Sequence, residues 1–498
     1  ANDTTNTLVQ QLLSSLLSTP STLFRTLLVS ILSVAFVLKL LDYTSKSKTS
    51  TSEIITPQQE EEETEEKKKM KELQFRFLPV FWMLRLADWL QGPYFYEVYA
   101  SKALLGASSS SSSSLTIISQ LFLTGFASTA LFGPVSGQLV DTYGRKKGTL
   151  AFCLFYMLGA LSTKSNTLLL LLLGRVASGI GTSLLFSAPE SWLVGDAQRI
   201  GQEKALGGTF GLAYAGDSIV AITAGQLASL AASKRGGPTG PFELSIVVLA
   251  FGAFLTSMLW KENVGSSSSE KKQQPTIQDA LRMVVNNPKI AYVGAVQSLF
   301  EAAMYIFVLQ WPPAIASAIA AVYGSAVTVP YGTIFSCFMA CCLMGATLFS
   351  KFNSKISNIA PTRITTESTV TVMLLLSTIA VGISAAATSQ SLSFFQNSKT
   401  VLSALVAAFF AFEMAVGFYF PSIGTLRSKH IPDSHRSVIM NLFGIPLNAL
   451  VVSVFLSIQS LGVGGALSIA TGALGIATIS MFKLLLQTKS SPLETTNT

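Results

Sequence analysis

Apolar runs long enough to cross a bilayer recur along almost the whole chain, and they restrict its fold more than any other feature. Lipid offers no partners to an open backbone, so such runs are stable in hydrocarbon as helices, at about 20 residues per crossing. A first run covers residues 23–41. Six more follow at about 75–99, 117–139, 149–163, 167–189, 205–230 and 242–260. A polar link then leads to a further six, at about 290–311, 331–349, 369–387, 401–424, 437–459 and 464–486. The expected fold class is an all-α integral membrane protein of two six-helix bundles plus one extra N-terminal transmembrane helix. Its expected divisions are an N-terminal segment (1–44), a charged cytoplasmic linker (45–74), one bundle (75–260), a cytoplasmic link (261–288), the other bundle (289–487) and a cytoplasmic tail (488–498).

Composition agrees: 49% of residues are hydrophobic and 12% charged, with a formal net charge of +8. The positive excess sits in loops, as membrane topology requires, so it does not imply a nucleic-acid partner. The side of Arg145 also receives Lys46, Lys48, Lys67, Lys68, Lys69, Lys71, Arg199, Lys204, Lys261, Lys271, Lys272, Lys351, Lys355, Arg363, Arg427, Lys429 and Arg436. The opposite loops hold only Lys102, Lys164, Lys234, Arg235 and Lys399. This bias assigns the Arg145 side to the cytoplasm and, with the extra helix retained as an anchor, the N-terminus to the outside. A removed signal peptide is the alternative for that helix. Asn2-Asp3-Thr4 on the outer side matches a glycosylation acceptor pattern. The interval 45–74, with Glu60–Glu63 and Lys67–Lys69, reads as a mobile linker unable to bury a core, and the serine run 108–114 as a flexible loop. Cys153, Cys337, Cys341 and Cys342 all lie in apolar segments, against a disulfide framework. The sequence offers no zinc spacing, nucleotide-binding glycine loop or nucleophile triad, so no enzyme activity, metal or cofactor is expected.

One polar gap carries a motif: Gly137, Asp141, Gly144, Arg145, Lys146 and Lys147, spaced G-x-x-x-D-x-x-G-R-K-K. Gly137 permits close helix approach, Asp141 suits a helix N-terminus, Gly144 allows a tight turn, and the basic triplet belongs on the cytoplasmic side. The stretch resembles the loop joining the second and third helices of the major facilitator superfamily of secondary transporters. That resemblance implies a cytoplasmic latch stabilising one access state.

Further segments narrow the resemblance. They are Ala87-Asp88-Trp89-Leu90-Gln91-Gly92-Pro93-Tyr94; Gly174-Arg175-Val176-Ala177-Ser178-Gly179 with Ser187-Ala188-Pro189-Glu190-Ser191-Trp192; Phe300-Glu301-Ala302-Ala303-Met304-Tyr305; Phe412-Glu413 with Gly417-Phe418-Tyr419-Phe420-Pro421; and Met440-Asn441-Leu442-Phe443. Over about residues 76–487 the chain resembles the molybdate-anion transporter family of that superfamily. The resemblance implies high-affinity uptake of molybdate, a tetrahedral oxyanion. One departure is Gly444, where a basic residue is expected.

Ionisable groups at bilayer depth cost roughly 2.5–3.5 kcal/mol each, so each needs an account. Arg85, Asp88, Asp217, Glu301 and Glu413 fall near mid-membrane, and Arg175 in the outer half of its helix. Arginine suits an oxyanion because its planar fork donates paired hydrogen bonds, so Arg175 is the leading anion-binding candidate; a structural arginine bonding neighbouring helices is the alternative. Arg85 and Asp88 share a helical face and can neutralise each other. Gln91, Tyr305 and Tyr419, like Tyr94, Tyr96 and Asn448, offer neutral hydrogen-bonding groups that serve either substrate or packing. Two central arginines against four central carboxylates would repel a dianion. Desolvation favours a neutral carboxyl, so a proton co-transported on Asp88, Glu301 or Glu413 would restore balance.

The expected partners are therefore molybdate or a related oxyanion, a proton and membrane lipid, with the substrate held near the midplane between the bundles. The plasma membrane is the expected location, an internal membrane the alternative. The competing functions are carriage of another small solute (a sugar, an amine or another anion) and a non-transporting sensor or scaffold.

Overall fold

The computed structural model describes residues 18–47, 57–102, 111–202, 206–234, 236–264, 277–358, 365–389, 393–432 and 436–490. The Asn2-Asp3-Thr4 pattern, residues 265–276 of the polar link and the tail from 491 lie outside the described residues. Among the described residues all regular structure is helical. The helices are α1 (Pro20–Ser47), α2 (Pro57–Gln91), α3 (Phe95–Ala100), α4 (Ser111–Tyr143), α5 (Arg145–Ser162), α6 (Leu168–Arg199), α7 (Leu206–Lys234) and α8 (Gly240–Leu259). There follow α9 (Ile277–Asn286), α10 (Pro288–Tyr323), α11 (Tyr331–Asn358), α12 (Thr366–Ser389), α13 (Ser398–His430), α14 (Arg436–Leu456) and α15 (Ile458–Ser490).

Among the described residues, nine helices are long and apolar enough to cross a membrane: α1, α4, α6, α8, α10, α11, α12, α13 and α15. The chain is thus an all-α, multi-pass integral membrane protein. Three of the others fall short for visible reasons. α2 begins with a charged stretch, α5 opens on Arg145-Lys146-Lys147, and α14 contains only a shorter apolar stretch, Leu442–Leu456.

The structure departs from the sequence reading at three places. Residues 57–74, expected to be mobile linker, form the first half of α2. Glu65 and Lys69 pair at 2.9 Å one turn apart, and Met70 and Leu73 are buried, so this part of the charged run has a packed face. Lys69 holds the exposed Glu65 carboxyl below its ordinary range. α4 begins at Ser111, inside the serine run expected to be loop. α13 runs on to His430, so Arg427 lies in a helix rather than in a loop.

Sequence-local caps start two of the long helices. Asn287 accepts from Lys289 N at 3.1 Å before α10, and Asn397 from Lys399 N at 3.0 Å before α13, each satisfying an orphan N–H.

The chain forms two compact units. The first comprises Thr49–Ser269 with Pro330–Ser336, the second Ala1–Lys48, Glu270–Val329 and Cys337–Thr498. In the first, α6 packs on α4 and α5, while α2 packs on α7 and α8. Trp192 and Trp260 stack at 4.1 Å, and Trp260 Nε1 donates to Arg76 O at 2.9 Å, which closes one end of this core. In the second, α15 packs on α10 and α12, and α13 on α10 and α12. α1 buries Phe24, Leu28 and Ala35, and Cys337 Sγ of α11 lies 3.5 Å from Phe24 O. α11 and α13 touch backbone to backbone: a Cβ on Gly345 would sit 1.8 Å from Met414 O, and one on Gly417 1.8 Å from Cys342 O. Only glycine permits that approach, which fixes the depth of α13 against its neighbours.

Candidate substrate site and gating loop

In the first unit Arg85, Asp88 and Asp217 meet in one network on α2, α5 and α7. Arg85 Nε donates to both oxygens of Asp217 at 3.0 Å, and its Nη2 to Oδ2 at 2.9 Å. Trp89 Nε1 donates to Asp217 Oδ1 at 2.8 Å. Asp88 sits 3.6 Å from Arg85 Nη1 and accepts from the Tyr156 hydroxyl. Arg85 is therefore held mainly by Asp217 across the bundle, with its helix neighbour Asp88 second. Its guanidinium also lies over the Trp89 ring, 4.8 Å from the centroid.

Arg175 is different. Its guanidinium lies 4.6 Å from the centroid of the Phe95 ring and against Gly125 of α4. Tyr99 and Tyr156 are within its electrostatic reach. Its Nε is buried without a hydrogen-bond partner, and among the described residues no carboxylate pairs with it. Gln91 turns away from this chemistry: its Nε2 donates to Ser245 Oγ at 2.9 Å, and Ser245 in turn to Ala87 O at 2.7 Å. That places Gln91 in helix packing.

In the second unit, Glu301 of α10 accepts from Tyr419 OH at 2.9 Å and pairs with Arg427 Nη2 at 3.3 Å. Arg427 Nε donates to Gln297 Oε1 at 2.9 Å. Tyr305 lies one turn along α10 from Glu301. Glu413 is 7% exposed and lies beside Cys341; no ion pair reaches it among the described residues. Arg427 is the residue that sequence reasoning missed, and it corrects the count of two central arginines. The available signal was its place about two turns past Tyr419 on a helix that extends beyond its apolar run.

The loop motif is a packed structure within the first unit. Asp141 lies in the last turn of α4 and accepts from Arg145 Nη2 at 3.0 Å. The expectation that Asp141 serves a helix N-terminus is thus corrected, because Glu262 occupies that role. Its Oε1 accepts from Lys146 N at 2.9 Å and its Oε2 from Lys147 N at 3.1 Å, satisfying two orphan donors at the start of α5. Gly144 has φ +121, and a Cβ there would lie 2.4 Å from the Glu262 carboxyl carbon, so the turn needs glycine on both counts. Arg145 N donates to Asn263 O at 3.0 Å, and Lys146 Nζ to Ser257 O at 2.8 Å. A Cβ on Gly137 would meet nothing within 4 Å, so the close helix approach expected there is not made in this structure.

Comparison with known proteins places this arrangement. Residues 48–403 match a family described as sugar transporters with 12 transmembrane segments. The chain is 30% identical over 426 residues to a molybdate-anion transporter of Xenopus tropicalis, covering 85% of this chain and 84% of that protein. It is likewise 30% identical to the molybdate-anion transporter of Xenopus laevis, over 76% of this chain and 78% of the relative. Among solved structures, the peptide-family transporter PepTSo superposes with a TM-score of 0.61 at 12% identity, covering 84% of this chain and 98% of that one. A nucleoside transporter, NupG, superposes with a TM-score of 0.59 at 12% identity, over 83% and 99%. These relatives and fold neighbours are transporters, not enzymes. The chain belongs to the molybdate-anion transporter family, with the fold of the major facilitator superfamily.

Proposed function

We propose that the chain is a secondary active transporter that takes up molybdate or a related tetrahedral oxyanion by alternating access, and that Arg175 receives the anion. The observation that carries this reading is the state of Arg175: a half-buried side chain whose Nε is buried without a hydrogen-bond partner, with the neutral hydroxyls of Tyr99 and Tyr156 as neighbours and no carboxylate partner among the described residues. A cation in that condition is costly, and an oxyanion bound to its fork removes the cost. Arg85, Asp88 and Asp217 would set the surrounding field, with the Tyr156 hydroxyl linking Asp88 toward Arg175. The names of the relatives support the substrate.

Charge balance supports a coupled proton. In the first unit Arg85 and Arg175 are matched by Asp88 and Asp217, so an incoming dianion leaves a net negative site. A proton taken up on Asp88 there, or on Glu301 or Glu413 in the second unit, would offset part of that charge. Tyr305 and Tyr419 would orient Glu301. The six-and-six arrangement with one extra helix, the proposed division boundaries, the latch role of the Gly137–Lys147 loop and a plasma-membrane location belong to the same proposal.

The family description as sugar transporters motivates the competing reading, in which the acids bind a polyhydroxylated or cationic solute. Competition tests the two. Molybdate uptake displaced by tungstate and unaffected by sugars or amines supports the oxyanion reading; displacement by sugars or amines alone overturns it.

A further inference from the structure

A groove of about 1040 Å³ runs along the second unit between α11, α12 and α13. One wall is a row of small residues on α13, including Ala404, Ala408, Ala411 and Ala415, and the opposite wall is α12. On α12, Val372, Leu376 and Ile379 are 58%, 56% and 49% exposed, although they lie within a spanning helix. Among the described residues the only lining hydroxyls are already committed: Ser368 Oγ donates to Thr365 O at 2.8 Å, and Thr369 Oγ1 to Thr366 O at 2.9 Å. The groove therefore offers nothing to water or to a polar solute. From Ser368 to Ile383 it extends about 22 Å along the helix, more than the ~15 Å of hydrocarbon in one leaflet.

One end carries charge. Glu367, next to Ser368, is fully buried and pairs with Lys429 and with His430 Nε2, the latter at 3.3 Å. The acid is hidden, whereas the Lys429 side chain is 48% exposed. Lys429, bonded to the buried Glu367 but itself half exposed, thus places one ammonium group beside an apolar slot of acyl-chain length. We propose that an anionic phospholipid of the surrounding bilayer occupies the groove, its acyl chain along the α13 alanines and its phosphate at the end where α12 begins. Bound there, it would brace α13, the helix that carries Tyr419 and Arg427 to Glu301. The inference depends on the membrane-spanning fold and not on which solute is carried.

The test uses the full chain purified in mild detergent. Native mass spectrometry reads retained lipid, and thermal unfolding is followed with added phosphatidylglycerol or phosphatidylcholine. The wild type is expected to retain phospholipid and to gain several degrees more from phosphatidylglycerol. Ala408→Phe with Ala411→Phe fills the slot from α13, and Ile379→Trp fills it from α12, so the result does not depend on one helix tolerating change. Both variants are expected to fold, to lose the retained lipid and to lose the difference between the two lipids. Undiminished retention in both variants, equal shifts from the two lipids in the wild type, or a disulfide-linked dimer of Ala411→Cys showing a second copy in the groove would each overturn the proposal.

Discussion

Arg85 and Asp217 show what keeps ionised groups stable at bilayer depth. Three hydrogen bonds of 2.9–3.0 Å join them, and a tryptophan N–H takes a further lone pair. Both side chains are about nine-tenths buried, at 11% and 10% exposure, so removing one charge strands the other. Asp217→Asn is expected to cost about 3–5 kcal/mol, read as a large fall in melting temperature of the detergent-solubilised protein. Asp88→Asn should cost clearly less, since Asp88 is 22% exposed and only 3.6 Å from Arg85 at its nearest approach; equal losses would show that the local pair dominates after all. At this scale the sequence made the residue types legible but not their partners. Helical spacing points Arg85 to Asp88, whereas the stronger bond goes to Asp217 on another helix, and Tyr156 gave no local sign of joining the charged cluster.

At the scale of elements, the Gly137–Lys147 loop is held less by its own motif than by Glu262. The glycine and basic triplet were legible because a tight turn and membrane topology constrain them locally. The carboxylate that caps α5 arrives from beyond α8, and no short-range pattern could reveal it. Glu262→Ala is expected to lose about 1 kcal/mol, the scale of a cap and helix-dipole interaction. Gly144→Ala should cost more, because it meets both a positive φ and the Glu262 carboxyl. Thermal unfolding of both variants checks the order, and a harmless Gly144→Ala would contradict the description of the turn. The charged start of α2 teaches the same lesson in reverse. Composition read it as unstructured, yet Met70 and Leu73 give it a buried side.

Across the whole molecule, hydropathy made the multi-pass helical class plain, because lipid leaves the backbone so few choices. It is less decisive about the number of crossings, since α2, which carries Arg76, Arg85 and Asp88 along its apolar half, is too charged to stand out as a span. Coupling belongs to this scale. If a proton enters with the anion, uptake should rise as external pH falls and collapse when a protonophore removes the gradient. Uptake by reconstituted vesicles with and without an imposed pH difference measures this, and equal rates would remove the proton from the account.

The most direct test of the central claim is molybdate accumulation at nanomolar supply, with excess sulfate, in cells lacking their own uptake. Those cells would express either the wild-type chain or Arg175→Ala. The account predicts sulfate-resistant accumulation with the wild type and at least a tenfold loss in the variant at equal surface expression. Accumulation unchanged by Arg175→Ala, or no molybdate uptake by folded wild-type protein, would contradict it.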